Sequence, residues 1–357
     1  MIVLKFGGTS LGSCEAMKNV VEILKGLPRQ EKTPVVVVSA FSGVTDSLIE
    51  LSKQAACGDA AYGKTVELLK KRHMEEAAHF LRGKDMEAAA ALMEKDFAEL
   101  LHILDGISIL RELSPRSLDL VSSFGERLSA PLLASVLSVN GLPAVYVDSR
   151  TLIKTNADFG KAIVLENETF PLIRSWYEPL AKNGPLPVVT GFIARAPDGS
   201  TTTLGRGGSD LSAAIFGAAL GAGEVEIWTD VDGILTADPK QVKNAFSIDS
   251  ISYEEAMELS HFGTKVIYPS SILPAMEKDI PIRIKNTFNP GCEGTRIINK
   301  AAPSLFPIRG ISSISSIALI RLQGPAMVGV AGFSSRLFGA LARRKISVIL
   351  ITQSSSE

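Results

Sequence analysis

The sequence predicts an α/β fold built on a largely parallel sheet. Strand-like and helix-like segments alternate along most of the 357 residues, which is the order that produces parallel sheets. Residues 35–38 are four consecutive valines without polar alternation, as expected of a strand that is buried on both faces. Apolar residues make up 46% of the chain, which is enough for a folded core and excludes wholesale disorder.

A strand, a tight turn and a helix come first. Residues 2–6 are short and apolar, and apolar side chains between residues 17 and 24 recur at helical spacing. Gly26 and Pro28 end this helix before the valine strand begins. We therefore expect a first strand whose C-terminal turn leads directly into a helix.

A helical insertion is expected from about residue 46 to residue 115. The segment is rich in Ala, Leu, Glu and Lys, and glycines 58, 83 and 106 are expected to break it into antiparallel helices. Residues 58–65 match the phosphate-binding pattern G-x-x-x-x-G-K-[ST], which requires a buried strand before the glycines. The residues before this segment have a helical pattern instead, so we interpret it as a turn between two helices.

Four more strands are expected in the first domain. They lie at residues 144–147, 187–191, 225–228 and 282–285. The fourth is expected to be the last strand of the domain. The turn residues Pro197-Asp198-Gly199 predict a hairpin within this region. Ser252 and Glu255 have the spacing of a capping box and mark the start of a helix.

The C-terminal part is expected to form a second, smaller domain. Pro303 and Pro307 mark a linker, after which residues 317–322, about 330–344 and 346–351 predict a strand, a helix and a strand. The predicted bounds are residues 1–295 for the first domain, 296–312 for the linker and 313–357 for the second domain. Because the chain ends soon after the last of these strands, we expect the second domain to be incomplete.

Charge and cysteine content exclude several classes of protein. Lys and Arg total 37 against 38 for Asp and Glu, a net charge of −1, so no global field attracts nucleic acid or an anionic membrane. No apolar run approaches the ~18 residues of a membrane span, and we expect no signal peptide. The three cysteines lie far apart, which argues against a disulfide framework or a zinc site. We expect a cytoplasmic protein with no nucleic-acid or membrane partner.

The end of the first strand has the residues of a phosphate site. Lys5 lies on the strand, where its ammonium group can supply a point charge to a phosphoryl oxygen. Gly7 and Gly8 allow the backbone to approach a polyanion, and the next helix offers free N–H groups. A tight strand-to-helix turn with an ordinary lysine would explain the same residues without a function.

A second glycine-rich segment, Gly205–Asp210, precedes another helix. Successive glycines can form a nest of amides for an anion, and Arg206 has the fork geometry that suits a carboxylate. Asp210 could equally cap the helix, so a purely structural glycine turn stays open. Trp228–Gly233 follows a later strand, with Lys240 close behind, and is either part of a ligand site or a surface turn capped by aspartates.

Taken in order, these segments resemble the aspartate kinases of the amino acid kinase family, most of all the kinase part of the bifunctional aspartokinase–homoserine dehydrogenases. The shared motifs are Lys5–Ser10, Val38–Asp46, Ser123–Arg127, Gly205–Asp210, Trp228–Gly233 and Phe262–Val266. The resemblance implies a three-layer αβα sandwich. Past the linker, Gly324–Met327 and Ile346–Glu357 resemble the start of an ACT regulatory domain. We therefore expect a partial ACT-like β-α-β unit, truncated within that domain.

The resemblance also implies an activity. ATP and L-aspartate would give ADP and 4-phospho-L-aspartate, the first step toward lysine, threonine and methionine. The acceptor carboxylate is already ionised at pH 7, so the reaction needs positioning and charge neutralisation rather than a strong base. Mg²⁺ is implied with ATP, without a residue that can be assigned as its ligand, and a homo-oligomer is expected.

Individual roles follow from the same resemblance. Lys5 and Lys265 would reach the phosphates from opposite sides, and Asp210 would hold the lysines in place. Arg206 would bind a carboxylate of aspartate and Glu126 its α-ammonium group. Further residues expected at aspartate are Ser39, Thr45 and Ser209. Those expected at the nucleotide are Gly7, Gly8, Thr9, Ser10, Gly207, Gly208, Thr229, Asp230, Asp232 and Lys240.

Two other functions stay open. A kinase of the same fold could phosphorylate glutamate or uridylate, although Arg206 with Glu126 favours an amino acid over a nucleotide. A catalytically silent amino-acid sensor could use the ACT part alone. The intact set of Lys5, Asp210 and Lys265 argues against that sensor.

Overall fold

A sheet of eight strands forms the centre of the first of two units, Met1–Ser313 and Ile314–Glu357. A computed structural model describes residues 1–28, 31–182, 184–261, 266–301, 308–322 and 331–352. The strands are β1 Ile2–Phe6, β2 Val35–Val38, β3 Ala144–Val147, β4 Leu186–Thr190, β5 Ile193–Arg195, β6 Thr201–Thr203, β7 Glu224–Thr229, β8 Ser250–Ser252, β9 Ile282–Asn286 and β10 Thr295–Ile298. The order in the sheet is β3-β4-β2-β1-β7-β9-β10-β8, and β5 with β6 forms a separate hairpin.

Most of the sheet is parallel, as predicted. The neighbours from β3 to β9 in that order all pair in parallel, whereas β10 pairs antiparallel with β9. Phe6 of β1 is level with Val38 of β2 and with Trp228 of β7. Because parallel strands end at the same edge of a sheet, the turns after β1, β2 and β7 meet at one edge, where ligands of α/β proteins commonly bind.

Helices cover both faces of the sheet. They are α1 Gly8–Leu11, α2 Cys14–Lys25, α3 Val44–Cys57, α4 Ala61–Phe80, α5 Gly83–Leu110, α6 Pro115–Ser122, α7 Phe124–Val139, α8 Glu166–Tyr177, α9 Gly208–Leu220, α10 Tyr253–His261, α11 Leu273–Glu277 and α12 Phe333–Arg343. Leu4 and Phe6 belong to a core shared with α2 and the insertion helices, and Val3 belongs to a second core shared with α8 and α9. The alternation of side chains along β1 thus produces the predicted three layers.

In the described segments no helix combines the length and the apolar character needed to cross a membrane. The predicted hairpin is confirmed by the antiparallel pairing of β5 with β6. The capping box is confirmed as well. The Glu255 N–H donates to Ser252 Oγ at 3.1 Å, and the Ser252 N–H donates to Glu255 Oε2 at 2.9 Å, so that each residue satisfies a backbone group of the other.

One predicted break in the insertion is wrong. Helices end near Gly58 and begin at Gly83, but α5 continues through Gly106 to Leu110. A glycine in a helix costs about 1 kcal/mol relative to alanine. Leu104 and Ile107, on either side of Gly106, are buried in the core, and this packing outweighs the cost.

The sheet also extends further along the chain than predicted. Strand β10 follows the strand expected to be the last, and the predicted linker at 296–312 begins inside it. Beyond the residues that the structure leaves undescribed, the Ile311 N–H donates to the Thr236 carbonyl, and Arg309 donates to the Ser250 carbonyl at 2.9 Å. Residues up to Ser313 therefore belong to the first unit.

The second unit contains the predicted helix, α12, but its described residues form no strand. The residues expected to be strands remain open to solvent, with Leu319 92% exposed and Leu350 78% exposed, and α12 buries none of its residues. A strand is stable only when a neighbouring strand satisfies its backbone and apolar surface is covered. Within the described residues of this unit neither condition is met, and of the predicted β-α-β unit they contain the helix, α12.

Candidate active site

A cleft of about 670 Å³ opens where β1 and β2 end and α9 begins. It lies at the sheet edge that the parallel register predicts. Many of the residues singled out from the sequence line it. These are Lys5, Gly8, Ser39, Thr45, Glu126, Arg206, Gly207, Gly208, Ser209 and Asp210. Segments more than 200 residues apart in the chain are thus brought together at one site.

Lys5 and Asp210 form an ion pair in the cleft. Lys5 Nζ lies 2.6 Å from Asp210 Oδ1, and each side chain is only 11% exposed. Asp210 is in the first turn of α9, where the helix dipole stabilises a carboxylate. The pair fixes an ammonium group at the end of β1 and agrees with the expectation that Asp210 organises the lysine.

Glu126 supplies a buried carboxyl group. It lies in the first turn of α7, is 2% exposed, and accepts a hydrogen bond at Oε1 from the Ala40 N–H at 3.1 Å. Its Oε2 is buried and has no hydrogen-bond partner in the part of the chain that the structure describes. Burial raises the pKa of Glu126 to about 8, against the opposing effects of the Ala40 hydrogen bond and the Lys5 charge. A cation that entered the cleft would restore the ionised carboxylate.

The next residue, Arg127, holds the first turn of α7 in place. Its Nη2 lies 2.6 Å from Asp96 Oδ1 and 2.6 Å from Glu99 Oε2, both on α5. Its guanidinium carbon also lies 4.0 Å from the centre of the Phe124 ring. These contacts attach the first turn of α7, which carries Glu126, to α5.

The glycine-rich segment before α9 presents Arg206 at the rim. Gly205 and Gly207 have φ angles of 73° and 69°, which favour glycine. A Cβ atom on Gly207 would lie 2.7 Å from Tyr268 Cβ. Arg206 is exposed and makes no ion pair within the described residues, so its guanidinium group is available to a ligand carboxylate.

Two predicted nucleotide residues are tied to the protein instead of facing the cleft. The Gly7 N–H donates to the Trp228 carbonyl at 2.9 Å. Ser10 is fully buried, and its Oγ lies 2.7 Å from Thr287 Oγ1. Both residues therefore connect the turn after β1 to β7 and to the residue that follows β9, while Thr9 between them is exposed.

The other predicted nucleotide residues lie beyond β7. Thr229 ends the strand, and Asp232 Oδ1 accepts hydrogen bonds from Asn286 Nδ2 at 2.8 Å and Asn289 Nδ2 at 3.0 Å. Asp230 and Lys240 are exposed. These four residues do not line the 670 Å³ cleft. Lys265 lies outside the described residues.

Asp119 is a cleft residue that the sequence analysis missed. Its Oδ2 accepts hydrogen bonds from the Gly160 and Thr203 N–H groups at 2.9 Å, and its Oδ1 accepts one from Thr203 Oγ1 at 2.8 Å. Burial raises the pKa of Asp119 and these donors oppose the shift. The residue joins α6 to hairpin β5–β6. Within its helix it looks like an ordinary polar position, so no local signal could have identified it.

No metal cluster stands beside these groups: within the described ranges, no three His, Cys, Asp or Glu side chains are grouped to hold an ion.

Comparisons with known proteins point to one family. The amino acid kinase family matches residues 1–286, and the ACT domain matches residues 320–357. The chloroplastic bifunctional aspartokinase/homoserine dehydrogenase 2 of Arabidopsis thaliana is 36% identical over 361 residues, which cover 99% of this chain and 39% of that relative. The chloroplastic aspartokinase 1 of the same plant is 34% identical over 358 residues, with coverage of 99% and 61%. The chain thus spans less than two thirds of these relatives.

Solved structures agree. Aspartokinase III of E. coli in complex with aspartate and ADP has a TM-score of 0.84 and 32% identity, covering 100% of this chain and 77% of that chain. The aspartate kinase of Clostridium acetobutylicum has a TM-score of 0.78 and 25% identity, also covering 100% of this chain and 77% of that chain.

Proposed function

The chain belongs to the amino acid kinase family, and from this premise we propose that it is an aspartate kinase. The observation that supports this most strongly is the combination of charges in the cleft. A buried carboxyl group with a free oxygen, Glu126, shares the cleft with the Lys5–Asp210 pair and with the exposed Arg206. Aspartate has one ammonium and two carboxylate groups, so it needs one protein anion and at least one fixed cation.

Substrate binding would use these groups separately. Glu126 Oε2 would accept a hydrogen bond from the α-ammonium group, which removes the penalty of a buried carboxyl without a partner. Arg206 would bind a carboxylate through its two-pronged guanidinium. Ser39, Thr45 and Ser209 would offer hydroxyl groups around them. The E. coli aspartokinase III structure is a complex with aspartate and ADP, and this pair of ligands is consistent with the proposal.

The chemical step would be a direct phosphoryl transfer. An oxygen of the aspartate side-chain carboxylate bonds to the γ-phosphorus while the bond to the bridging oxygen breaks, and ADP leaves with that electron pair. Lys5 would neutralise charge on the transferred group, and Asp210 would keep it aimed at that position. By resemblance, Lys265 would act from the other side.

ATP would lie along the turn after β1, the start of α9 and the loop after β7. The residues proposed there are Gly8, Thr9, Gly207, Gly208, Thr229, Asp230, Asp232 and Lys240, whereas Gly7 and Ser10, which are bonded to the protein itself, would hold the turn in place. Mg²⁺ would arrive on the phosphate oxygens of ATP as part of the substrate. The place of the reaction before lysine, threonine and methionine, the homo-oligomer and a cytoplasmic location stay predictions.

The test is an assay of purified protein with MgATP and each candidate acceptor. We expect ADP release with L-aspartate, and trapping of the acyl phosphate by hydroxylamine as the hydroxamate. Equal or faster turnover with glutamate or uridylate would contradict the proposed substrate. If a protein sample that shows a cooperative thermal unfolding transition turned over none of the acceptors, the kinase function would be contradicted.

A further inference from the structure

Two connecting segments contribute residues to the cleft, one after β1 and one after β2. The first, residues 7–12, contains the short helix α1, and the second is residues 39–43; we refer to both as loops. The Ser42 N–H donates to the Gly8 carbonyl at 3.1 Å, and a Cβ atom on Gly8 would lie only 2.8 Å from the Ala40 carbonyl oxygen. The two loops are therefore in close contact, and their spacing determines where the cleft residues between them lie.

One side chain of the helical insertion joins both loops. Arg72 lies in α4, 60 residues from Gly12 and 30 from Ser42 along the chain. Its Nη1 donates to the Ser42 carbonyl at 2.9 Å, and its Nη2 donates to the Gly12 carbonyl at 3.1 Å. Because the guanidinium group is planar and rigid, these two hydrogen bonds define the distance between the loops.

The next residue of α4, His73, packs against the loop after β2. The His73 ring stacks on the Phe41 ring with centroids 4.7 Å apart and planes only 4° from parallel. The guanidinium carbon of Arg72 lies 5.9 Å from the centre of that Phe41 ring. Phe41 is buried and lines the cleft, so two consecutive residues of the insertion support the loop after β2.

We propose that Arg72 is a positioning residue for phosphoryl transfer, through which the helical insertion holds the loops after β1 and β2 in register. The expected effect on the rate rests on the proposed function. The expected effect on the spacing of the two loops rests on the hydrogen bonds alone. Without Arg72 the loops could separate, and a displacement of about 1 Å at reacting groups can cost about 10²-fold in rate.

The first experiment compares kinetics of three variants. Arg72→Ala removes both hydrogen bonds, and Arg72→Lys retains the charge but cannot reach both carbonyls with a fork. The matched control is Lys70→Ala on the same helix. It removes the ion pair between Lys70 Nζ and Glu94 Oε2, which are 2.7 Å apart, and it removes no contact with the cleft. We expect kcat to fall about 10- to 100-fold for Arg72→Ala and for Arg72→Lys nearly as much, with Lys70→Ala within about twofold of the wild type.

The second experiment needs no activity. Amide hydrogen exchange is measured for the segments 7–12 and 39–43, in which the Ser42 N–H reports on the contact between the loops. We expect exchange there to be at least about tenfold faster in Arg72→Ala than in Lys70→Ala, with α4 itself unchanged. Unchanged exchange in both loops, or equal loosening of all of α4 in both variants, would overturn the proposal. If the wild-type protein had no kinase activity, the proposed function would be contradicted. The exchange measurement would still decide whether Arg72 holds the two loops together.

Discussion

Two glycine-rich segments of this chain, residues 58–65 and residues 205–210, lie at helix N-termini in opposite surroundings. Segment 205–210 follows the β5–β6 hairpin and leads into α9 at the edge of the sheet, next to the end of β1. Segment 58–65 joins α3 to α4 inside the insertion, with a helix and not a strand before it. Similar residue types thus occur at the cleft and at an ordinary turn between helices.

The neighbours of the two segments explain the difference. Gly207 lies against Tyr268 so closely that a Cβ atom would be 2.7 Å from Tyr268 Cβ, whereas a Cβ atom on Gly63 would have, among the described residues, no neighbour within 4 Å beyond the adjacent residues and backbone of its own helix. Asp210 holds Lys5 of an adjoining strand at 2.6 Å. Lys64 is exposed and has no ion pair in the described part of the chain. The two segments therefore differ in what lies beside the glycines, and we expect a phosphate site where the sheet places a cation next to them.

The largest expected effect is at the cation that the sheet brings to segment 205–210. Lys5→Ala should lower kcat by about 10²–10³, because the ammonium group acts where charge develops on the transferred phosphoryl group. The KM for aspartate should change far less. Steady-state kinetics measures both, and Lys25→Ala, which removes another ion-paired lysine, is the control that should stay near the wild type.

Lys5→Ala also leaves Asp210 buried without its cation, so folding must be checked separately. The double variant Lys5→Ala/Asp210→Asn removes that charge and should recover thermal stability without recovering kcat. If Lys5→Ala retained more than half of the wild-type kcat, Lys5 would not be needed for phosphoryl transfer. The cation beside segment 205–210 would then not explain how this segment differs from segment 58–65.

The next effect concerns Arg206 within segment 205–210. Arg206→Lys should weaken aspartate binding by about tenfold, since a single ammonium group replaces one bidentate, charge-assisted contact. Isothermal titration with aspartate measures it. Arg195→Lys on strand β5, outside the cleft, is the matched control. An unchanged affinity in Arg206→Lys would show that this guanidinium group does not bind the substrate carboxylate.

A smaller effect follows from the pKa of Glu126, which burial raises to about 8. In the free protein at pH 7 only about one tenth of the molecules hold the ionised carboxylate that an ammonium group requires. Aspartate binding should therefore release a proton, and its apparent affinity should rise about fivefold from pH 7 to pH 8 as the competent fraction grows.

Titration calorimetry in two buffers of different ionisation enthalpy counts the released proton. Glu126→Gln is the control, because the amide cannot titrate: its weaker binding should be independent of pH over this range. An affinity for aspartate that fell from pH 7 to pH 8 in the wild type would contradict the assignment of Glu126 to the ammonium group.

Most of the fold could be predicted because its signals are local. The valines of β2, the turn residues of the hairpin and the capping box at Ser252 each specify a short stretch of backbone. Strands β8 and β10 have the sequences SIS and TRII, which contain polar residues and no continuous apolar run, so their place in the sheet depends on pairing with each other and with β9. The predicted helix break at Gly106 was wrong because packing of the neighbouring side chains outweighed the low helix propensity of glycine.

The site divides in the same way. Sequence motifs identified Lys5, Glu126, Arg206 and Asp210 as candidate site residues. The role of each residue was predicted from the resemblance to a known family. Asp119 and Arg72 were not identified in this way, because their contacts join residues that are 84 and 60 apart in sequence and depend on how the helices pack. Such long-range hydrogen bonds leave no periodicity or spacing in a single sequence, and only the folded structure reveals them.

The smallest expected effect is in segment 58–65, and it tests the other half of the comparison. Lys64→Ala should leave the affinity for ATP and kcat within about twofold of the wild type. In a true phosphate-binding loop the lysine contacts the β- and γ-phosphates, and its loss is not tolerated.

The structure gives the reason for this expectation. The Gly63 N–H donates to the Ala60 carbonyl at 3.3 Å, and the Thr65 hydroxyl donates to the Ala61 carbonyl at 3.4 Å, so these two groups, which would hold phosphate and metal, are already bonded at the start of α4. Titration of MgATP into Lys64→Ala and into Lys5→Ala provides the measurement. A collapse of ATP affinity in Lys64→Ala would mean that this turn binds phosphate without a preceding strand, and that the sheet edge is not what distinguishes the two segments.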